Sequence, residues 1–186
     1  NGIISMGFTG RSDYFEDYGA SLKDKFFKLL EITFNNKTYN NAELVIEPIE
    51  IKNYSKAVKN LYGKGYVLTG NSAEFLDPIF SSGVTLATES GLLAAKLIEK
   101  ELLGKPVNWE SDYSDYLSKG VDVFRTYVNE WYSGKLKTIF FSDRTNPIFK
   151  KQITSVLAGY VWDDSNPFVS KHKKIINNLA HIISMD

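Results

Sequence analysis

Residues 65–95, GYVLTGNSAEFLDPIFSSGVTLATESGLLAA, constrain this chain more than any other stretch, because their spacing is hard to explain by burial alone. Tyr66, Val67, Leu68 and Thr69 are β-prone and stop at Gly70, where the backbone can turn sharply or admit a ligand close to the main chain. An irregular loop follows, with a carboxylate before a proline at Asp77-Pro78, and Ser81-Ser82-Gly83 then opens a run of helix formers. Free amides at such a helix start attract negative charge or electron-rich oxygen. On spacing alone two readings stay open: an ordinary strand-to-helix connection of an α/β domain, or a cofactor cradle at the carboxyl end of a strand. Asp77 carries the same ambiguity, since it can simply cap or stiffen its loop.

The remaining residues narrow the chemistry by exclusion. Basic and acidic residues balance at 22 each, so no overall field favours nucleic acid or an anionic membrane as partner. The absence of cysteine removes disulfides, thiolate catalysis and cysteine-ligated metals. His172 and His181 are far from the glycine loop in sequence, so no metal centre is expected. Ser72, Ser81 and Ser82 have no nearby histidine, and GNSAE fits the G-x-S-x-G nucleophile elbow poorly. No second carboxylate pairs with Asp77 for acid and base work, and no residue is assigned a catalytic role. No apolar run is long enough to span a bilayer and no signal pattern opens the chain, which makes a cytoplasmic location the expectation.

With 186 residues there is room for one domain or slightly more. Residues 3–9 read as a strand entered through an Asn1-Gly2 hairpin turn whose first strand is expected upstream of this sequence, and 12–18 as a polar, aromatic loop. Ser21 can cap a helix over about 22–33, whose Leu22, Phe26, Leu29 and Leu30 form one apolar stripe. A polar turn is expected at 35–41, a short turn or strand at 42–46, and extended chain over 49–54 leading to a Gly63-Lys64-Gly65 turn. The helix after the loop runs from about 83 to 103 and ends at Gly104-Lys105-Pro106. Its small-residue face, Ala87, Gly91, Ala94, Ala95, Ile98 and Leu102, is suited to close packing on a sheet. From Trp109 onward everything reads as helix: 109–141 with a bend at Ser133-Gly134, 147–157 after Asn146, and 168–183 after Asn166-Pro167. The aromatic stripe Tyr113, Tyr116, Phe124, Tyr127, Trp131 and Tyr132 reads as core, and Lys171, Lys173 and Lys174 as a solvated helix face.

The loop from Gly70 to Val84, GNSAEFLDPIFSSGV, resembles the G-D-A-x-x-F-x-D-P-x-x-S-x-G-V segment of flavin-dependent halogenases and their relatives among aromatic hydroxylases and geranylgeranyl-reductase-like flavoproteins. Its Ser-Ser-Gly-Val end is most similar to the halogenase branch. Residues 1–8, Tyr14-Phe15, the Ala94-Ala95 helix and the tyrosine-rich helix ending at Trp131-Tyr132 follow the same order, so the resemblance reaches to about residue 145.

That resemblance implies an α/β fold: the C-terminal portion of an FAD-binding Rossmann-type, glutathione-reductase-like flavoprotein with a helix-rich C-terminal region. Residues 1–62 would be the end of a substrate-domain sheet with a helix and connecting segment. Residues 63–104 would hold the last strand, flavin loop and helix of the FAD-binding domain, and 105–186 the helical region. The FAD-binding residues implied are Gly70, Asn71, Asp77, Pro78, Ser82, Gly83 and Val84. Gly70 would let the chain pass close to the flavin. Asn71 departs from the family's aspartate, losing the charge-assisted strength with which a carboxylate accepts from a ribityl hydroxyl. Asp77 and Pro78 would shape the loop beside the isoalloxazine, and the amides near Gly83 and Val84 would face its N1–O2 edge. In halogenases a halide sits near the amides that match Ser82 and Gly83.

The implied parent is a halogenase- or monooxygenase-like oxidoreductase. It would use reduced flavin and O2 on an aromatic or other electron-rich small molecule, with chloride or bromide as further partner and a flavin reductase or NAD(P)H as electron source. The G-x-G-x-x-G phosphate loop, the W-x-W-x-I-P segment and the halogen-carrying lysine of that family find no place in these residues, so the chain by itself is expected to be inactive. The alternatives are a non-catalytic helical interaction module that keeps the loop as scaffold, and an isoprenoid-type flavin reductase.

Overall fold

In the computed structural model, which describes residues 2–34 and 42–185, the chain divides into two units, Asn1–Tyr54 and Ser55–Asp186. The first contains a 3₁₀ helix over Ser12–Tyr18 and the helix α1, Leu22–Phe34. Ser21 caps α1 as its sequence suggests: its hydroxyl oxygen accepts from the Asp24 amide at 3.1 Å, while the Asp24 carboxylate accepts from the Ser21 amide at 3.2 Å. Two helix-start donors are satisfied reciprocally.

Three expectations for this unit are corrected. Residues 12–18 are not a loop; Tyr14 packs its ring 5.5 Å from Phe15 and 5.1 Å from Tyr18, and these ring contacts wind the segment into 3₁₀ turns. Residues 3–9 belong to no ladder among the described residues; the partner expected for them lies upstream of this sequence, and extended chain becomes strand only when a neighbour completes its hydrogen bonds. Residues 42–46 form neither strand nor helix, only a bend. The turn expected at 35–41, and Asn1 of the expected hairpin, lie outside the described residues.

The second unit is helix-rich. Its strands are pairs of residues: β1 (Lys56–Ala57), β2 (Tyr62–Gly63), β3 (Tyr66–Val67) and β4 (Glu74–Phe75), with β1 antiparallel to β4 and β2 antiparallel to β3. The β2–β3 hairpin turns on Lys64-Gly65, and Gly65 takes a positive φ of +80°, which glycine adopts without a Cβ penalty. Then come α2 (Gly83–Leu102), a π turn (Glu110–Ser114) running into α3 (Asp115–Tyr132), α4 (Lys135–Phe141), α5 (Pro147–Leu157), α6 (Pro167–Ser170) and α7 (His172–Ser184).

The helix boundaries have local causes. Gly104 at φ +71° ends α2: its amide bonds the Glu101 carbonyl and the Lys105 amide bonds the Lys100 carbonyl, each at 3.0 Å, which satisfies two orphan carbonyls. Gly134 at φ +90° separates α3 from α4 at the expected bend. Asn146 and Asn166 accept from the amides of Ile148 and Phe168, each at 2.9 Å, with proline in the first turn. The helix expected over 168–183 is broken at Lys171, because His172 Nδ1 lies 2.6 Å from the Val169 carbonyl and occupies the acceptor that a continuous helix would use.

The core of this unit is built by α3 against α4, α5, α6 and α7, with Tyr113, Phe124, Tyr127, Ile139, Ile153 and Ile176 fully buried. Of the aromatic stripe, Tyr113, Phe124 and Tyr127 are buried in the core and Trp131 packs against it, whereas Tyr116 and Tyr132 are only partly buried. The inward face of α2 is another matter: Leu86, Ser90, Ala94 and Leu97 are buried, whereas Ala87, Ala95 and Leu102 are exposed. Ala94 alone of the expected face lies inward among the buried positions. The longer leucines displace the small residues, because burying them removes more apolar area from water.

Gly120 lets α3 carry a tryptophan on its back. Trp162 stacks on Tyr116 with centroids 5.3 Å apart and donates Nε1–H to the Tyr116 carbonyl at 2.8 Å, and a Cβ on Gly120 would lie 2.3 Å from its ring. Gly120→Ala is expected to expel or tilt that ring and to destabilise the unit by about 1–3 kcal/mol, read as a lower urea midpoint. Intrinsic tryptophan fluorescence suits the measurement, since Trp109, Trp131 and Trp162 all belong to this unit.

The Tyr116 hydroxyl donates to Glu89 at 2.7 Å, tying α3 to α2. Burial, with the Glu89 carboxylate adding to it, pushes this phenol up to about 12. A folded-state value above the unfolded one means stability that is fully present below the unfolded pKa of about 10 and lost as pH rises through the folded value. The wild type should therefore lose stability between about pH 10 and 12 more steeply than Tyr116→Phe, as followed by urea midpoints across that range.

Candidate functional site

The chain between β3 and α2 is pinned before it can wander. Gly70, at φ +56°, donates its amide to the buried Ser90 hydroxyl of α2 at 2.9 Å, and a Cβ there would sit 3.2 Å from the Ala87 Cβ. The close approach that this glycine permits is to α2. Just upstream, the Tyr113 hydroxyl donates to the Leu68 carbonyl at 2.5 Å. Burial raises the Tyr113 phenol, so it stays a neutral donor there, with Ser90 pulling weakly the other way. Ala73 and Leu76 then drop into the core, and Glu74, mostly buried, accepts from Arg125 of α3 at 2.9 Å.

The far end of the loop is held as firmly. Asp77 Oδ1 accepts from the Ile79 amide at 2.9 Å, capping a 3₁₀ turn over Pro78–Phe80, and the same carboxylate accepts from the Tyr132 hydroxyl at 3.2 and 3.3 Å. The Phe80 ring meets the Trp131 ring edge-on at 5.5 Å. Ser81 takes the left-handed conformation at φ 53° and delivers the chain to Ser82, buried at the head of α2. The first bond of that helix runs from the Leu86 amide to the Ser82 carbonyl at 3.1 Å, so the amides of Gly83, Val84 and Thr85 have no partner from the helix repeat itself.

Between the pins lies a recess of about 450 Å³, lined on one side by Asn71 and residues 74–78 and on the other by Ser81–Val84, Leu86 and Ala87. Its volume falls within the usual range of small-molecule pockets. Six of the seven residues expected to form a cofactor site, Asn71, Asp77, Pro78, Ser82, Gly83 and Val84, line it together; Gly70 lies behind it, against α2. Without a side chain, Gly83 leaves the helix start open: a Cβ there would come no closer than 3.8 Å to the Asn71 amide oxygen. The walls thus offer an amide side chain, unpaired backbone N–H groups and mostly apolar surface, a set suited to an electron-rich, partly aromatic ligand. Among the described residues no group of three or more His, Asp or Glu is arranged to hold a metal ion, and no helix is long and apolar enough to cross a membrane.

The sequence did not mark Ser90, Tyr113, Arg125 or Tyr132 as part of this site. Tyr113 and Tyr132 were visible only as members of a core stripe, and nothing in helical spacing says which core tyrosine turns its hydroxyl towards a loop far away in sequence.

Comparison with known proteins finds halogenases and a solved flavoprotein structure. The chain is 23% identical over 185 residues to a 1H-pyrrole-2-carbonyl peptidyl-carrier-protein chlorinase of Pseudomonas fluorescens, which covers 98% of this chain and 39% of that protein. It is 26% identical over 131 residues to the corresponding brominase of Pseudoalteromonas luteoviolacea, covering 68% of this chain and 31% of the brominase. Over 106 residues, 55% of this chain and 20% of the relative, it is 43% identical to a tryptophan 2-halogenase of Chondromyces crocatus. The crystal structure of a flavoprotein/dehydrogenase from Cytophaga hutchinsonii superposes with a TM-score of 0.86 at 43% identity, covering 95% of this chain and 44% of that one. No family model matches the chain. These similarities support a halogenase-like flavoprotein superfamily, and the chain spans less than half the length of each of these relatives.

Tyr113→Phe keeps the buried ring and removes the donor, leaving the Leu68 carbonyl without its hydroxyl partner. A loss of about 1–3 kcal/mol in urea unfolding is expected. The exchange of the neighbouring Gly70 amide should also accelerate, as measured by hydrogen–deuterium exchange.

Proposed function

We propose that these residues form part of an FAD-dependent oxidoreductase of the halogenase or monooxygenase type, and that the recess beneath Gly70–Val84 receives the flavin. The observation that carries the proposal is that Asn71, Asp77-Pro78 and Ser82-Gly83-Val84, three separate groups along one irregular loop, line the same recess. The overall fold assigned to the parent is the Rossmann-type FAD-binding architecture, with residues 63–104 its last strand, flavin loop and helix.

The residues present suit a flavin. Asn71 can accept from a ribityl hydroxyl through its amide oxygen, more weakly than the aspartate of the family pattern. The amides of Gly83 and Val84 can donate to an electron-rich carbonyl edge, and that same helix start is compatible with chloride or bromide. The Asp77 charge is met on the protein side by the Ile79 amide and the Tyr132 hydroxyl, so it does not stand uncompensated beside the bound ring. When bound and reduced, the flavin supplies electrons for O2 activation. Its electrons would come from a flavin reductase or NAD(P)H. The substrate class we assign is an electron-rich heteroaromatic ring, because the named relatives act on pyrrole and tryptophan groups.

The full-length protein should purify yellow or take up FAD with a flavin absorbance band. With a flavin reductase, NADH, O2 and bromide or chloride it should yield a halogenated pyrrole or indole, identified by isotope pattern in mass spectrometry. Hydroxylated product without halogen would select the monooxygenase branch. A colourless protein that FAD cannot reconstitute would overturn the proposal and leave the helical interaction module as the reading that Asn71 favours.

A further inference from the structure

Two neighbouring residues at the end of α3 hold the two ends of the turn that forms one wall of the recess. Tyr132 donates its hydroxyl to the Asp77 carboxylate at 3.2 and 3.3 Å, and Trp131 meets Phe80 edge-on at 5.5 Å. Between them Asp77 caps the Pro78–Phe80 turn through the Ile79 amide at 2.9 Å. Next comes Ser81, a non-glycine residue at φ 53°, a conformation that persists only where its surroundings hold it. Beyond Ser81 the exposed amides of α2 begin. The orientation of the Asp77 carboxylate therefore propagates through the turn to the direction in which Gly83 and Val84 present their N–H groups. The end of α3 is itself fixed: the Ser133 amide bonds the Asn129 carbonyl at 2.9 Å, the chain reverses at Gly134, and the Lys137 ammonium lies 5.1 Å over the Trp131 ring.

From this geometry we propose that Tyr132 is a positioning residue for the ligand recess, acting through Asp77, with Trp131 as its apolar support. The inference rests on the flavin reading above for the identity of the ligand. It assigns to the helical region a role in cofactor affinity: α3 sets the angle of the helix start that the cofactor meets, without touching the cofactor. The hydroxyl is the active part of the device and the ring its packing, so the two are separable by Tyr132→Phe.

The test is a double-mutant cycle in the full-length protein with wild type, Tyr132→Phe, Asp77→Ala and the double variant. Each is titrated with FAD by flavin fluorescence and examined by hydrogen–deuterium exchange over residues 77–85. Tyr132→Phe is expected to weaken FAD binding about 5- to 10-fold, in line with the net contribution of one ordinary hydrogen bond, and to speed exchange of the Ile79–Val84 amides. In the Asp77→Ala background the same change should add less than 2-fold, because the group through which Tyr132 acts is gone. A Tyr132→Phe protein with unchanged exchange and unchanged FAD affinity overturns the proposal, as does an equal loss in both backgrounds, which would mark Tyr132 as general packing. Unfolding midpoints by tryptophan fluorescence confirm that each variant is folded. Failure of the wild type to bind FAD is a different result: it overturns the flavin reading, and the exchange comparison still decides whether Tyr132 fixes the turn.

Discussion

The donation from the fully buried Tyr113 to the Leu68 carbonyl is the contact on which the second unit depends most. It joins the first pinned point of the loop to the start of the helical run that forms the core, and at 2.5 Å it leaves the hydroxyl and the carbonyl no slack. Everything downstream follows α3. Arg125 reaches Glu74 part-way along, and Trp131 and Tyr132 take the far end of the loop. The distance between the tyrosines is about five turns of helix, roughly 28 Å at the helical rise per residue. An irregular loop is thus measured off against one continuous helical run.

This arrangement explains how a loop with one two-residue strand and two short 3₁₀ turns, Gly70–Ser72 and Pro78–Phe80, can hold a defined recess. Loops ordinarily have few buried contacts and open locally at little free-energy cost. Here Ala73 and Leu76 are buried in the core and Glu74 is paired, so local opening would expose apolar surface and leave a mostly buried carboxylate without its partner. The recess walls are rigid because their backs are core. The amides that face the cavity are, by contrast, those that the helix repeat itself leaves free, and a site of this kind needs both properties.

Much of this was legible in the sequence, and for identifiable reasons. The Asn-Pro starts at Asn146 and Asn166, the Gly104 and Gly134 stops and the Lys64-Gly65 turn are local signals, and the chain obeys each of them. The loop was legible as a unit because glycine and proline punctuate it. The inward face of α2 was misjudged because small residues suggest close packing, whereas the decision rests with Leu86 and Leu97, which bury more area. Residues 3–9 look like a strand and join no ladder among the described residues, because ladder pairing is a property of two segments and periodicity describes one. The 3₁₀ helix at Ser12–Tyr18 depends on ring contacts that composition does not order.

The part of the site that sequence could not reach is its control by hydroxyl direction. Tyr113, Tyr116, Tyr127 and Tyr132 all lie on one helical run, and each sends its oxygen to a different acceptor: the Leu68 carbonyl, Glu89, the Phe168 carbonyl and Asp77. The rings of Tyr113 and Tyr127 are core and those of Tyr116 and Tyr132 are partly buried, and their oxygens are not interchangeable. A phenol is the side chain that can fill a core position and still deliver one strong donor at its rim. Replacing the four by phenylalanine would leave the apolar pattern intact while removing contacts to β3, α2, α6 and the Asp77 turn. The tyrosine-rich character of this helix is accordingly a structural specification: the apolar stripe decides that the helices pack, and the hydroxyls decide where the loop lies upon them.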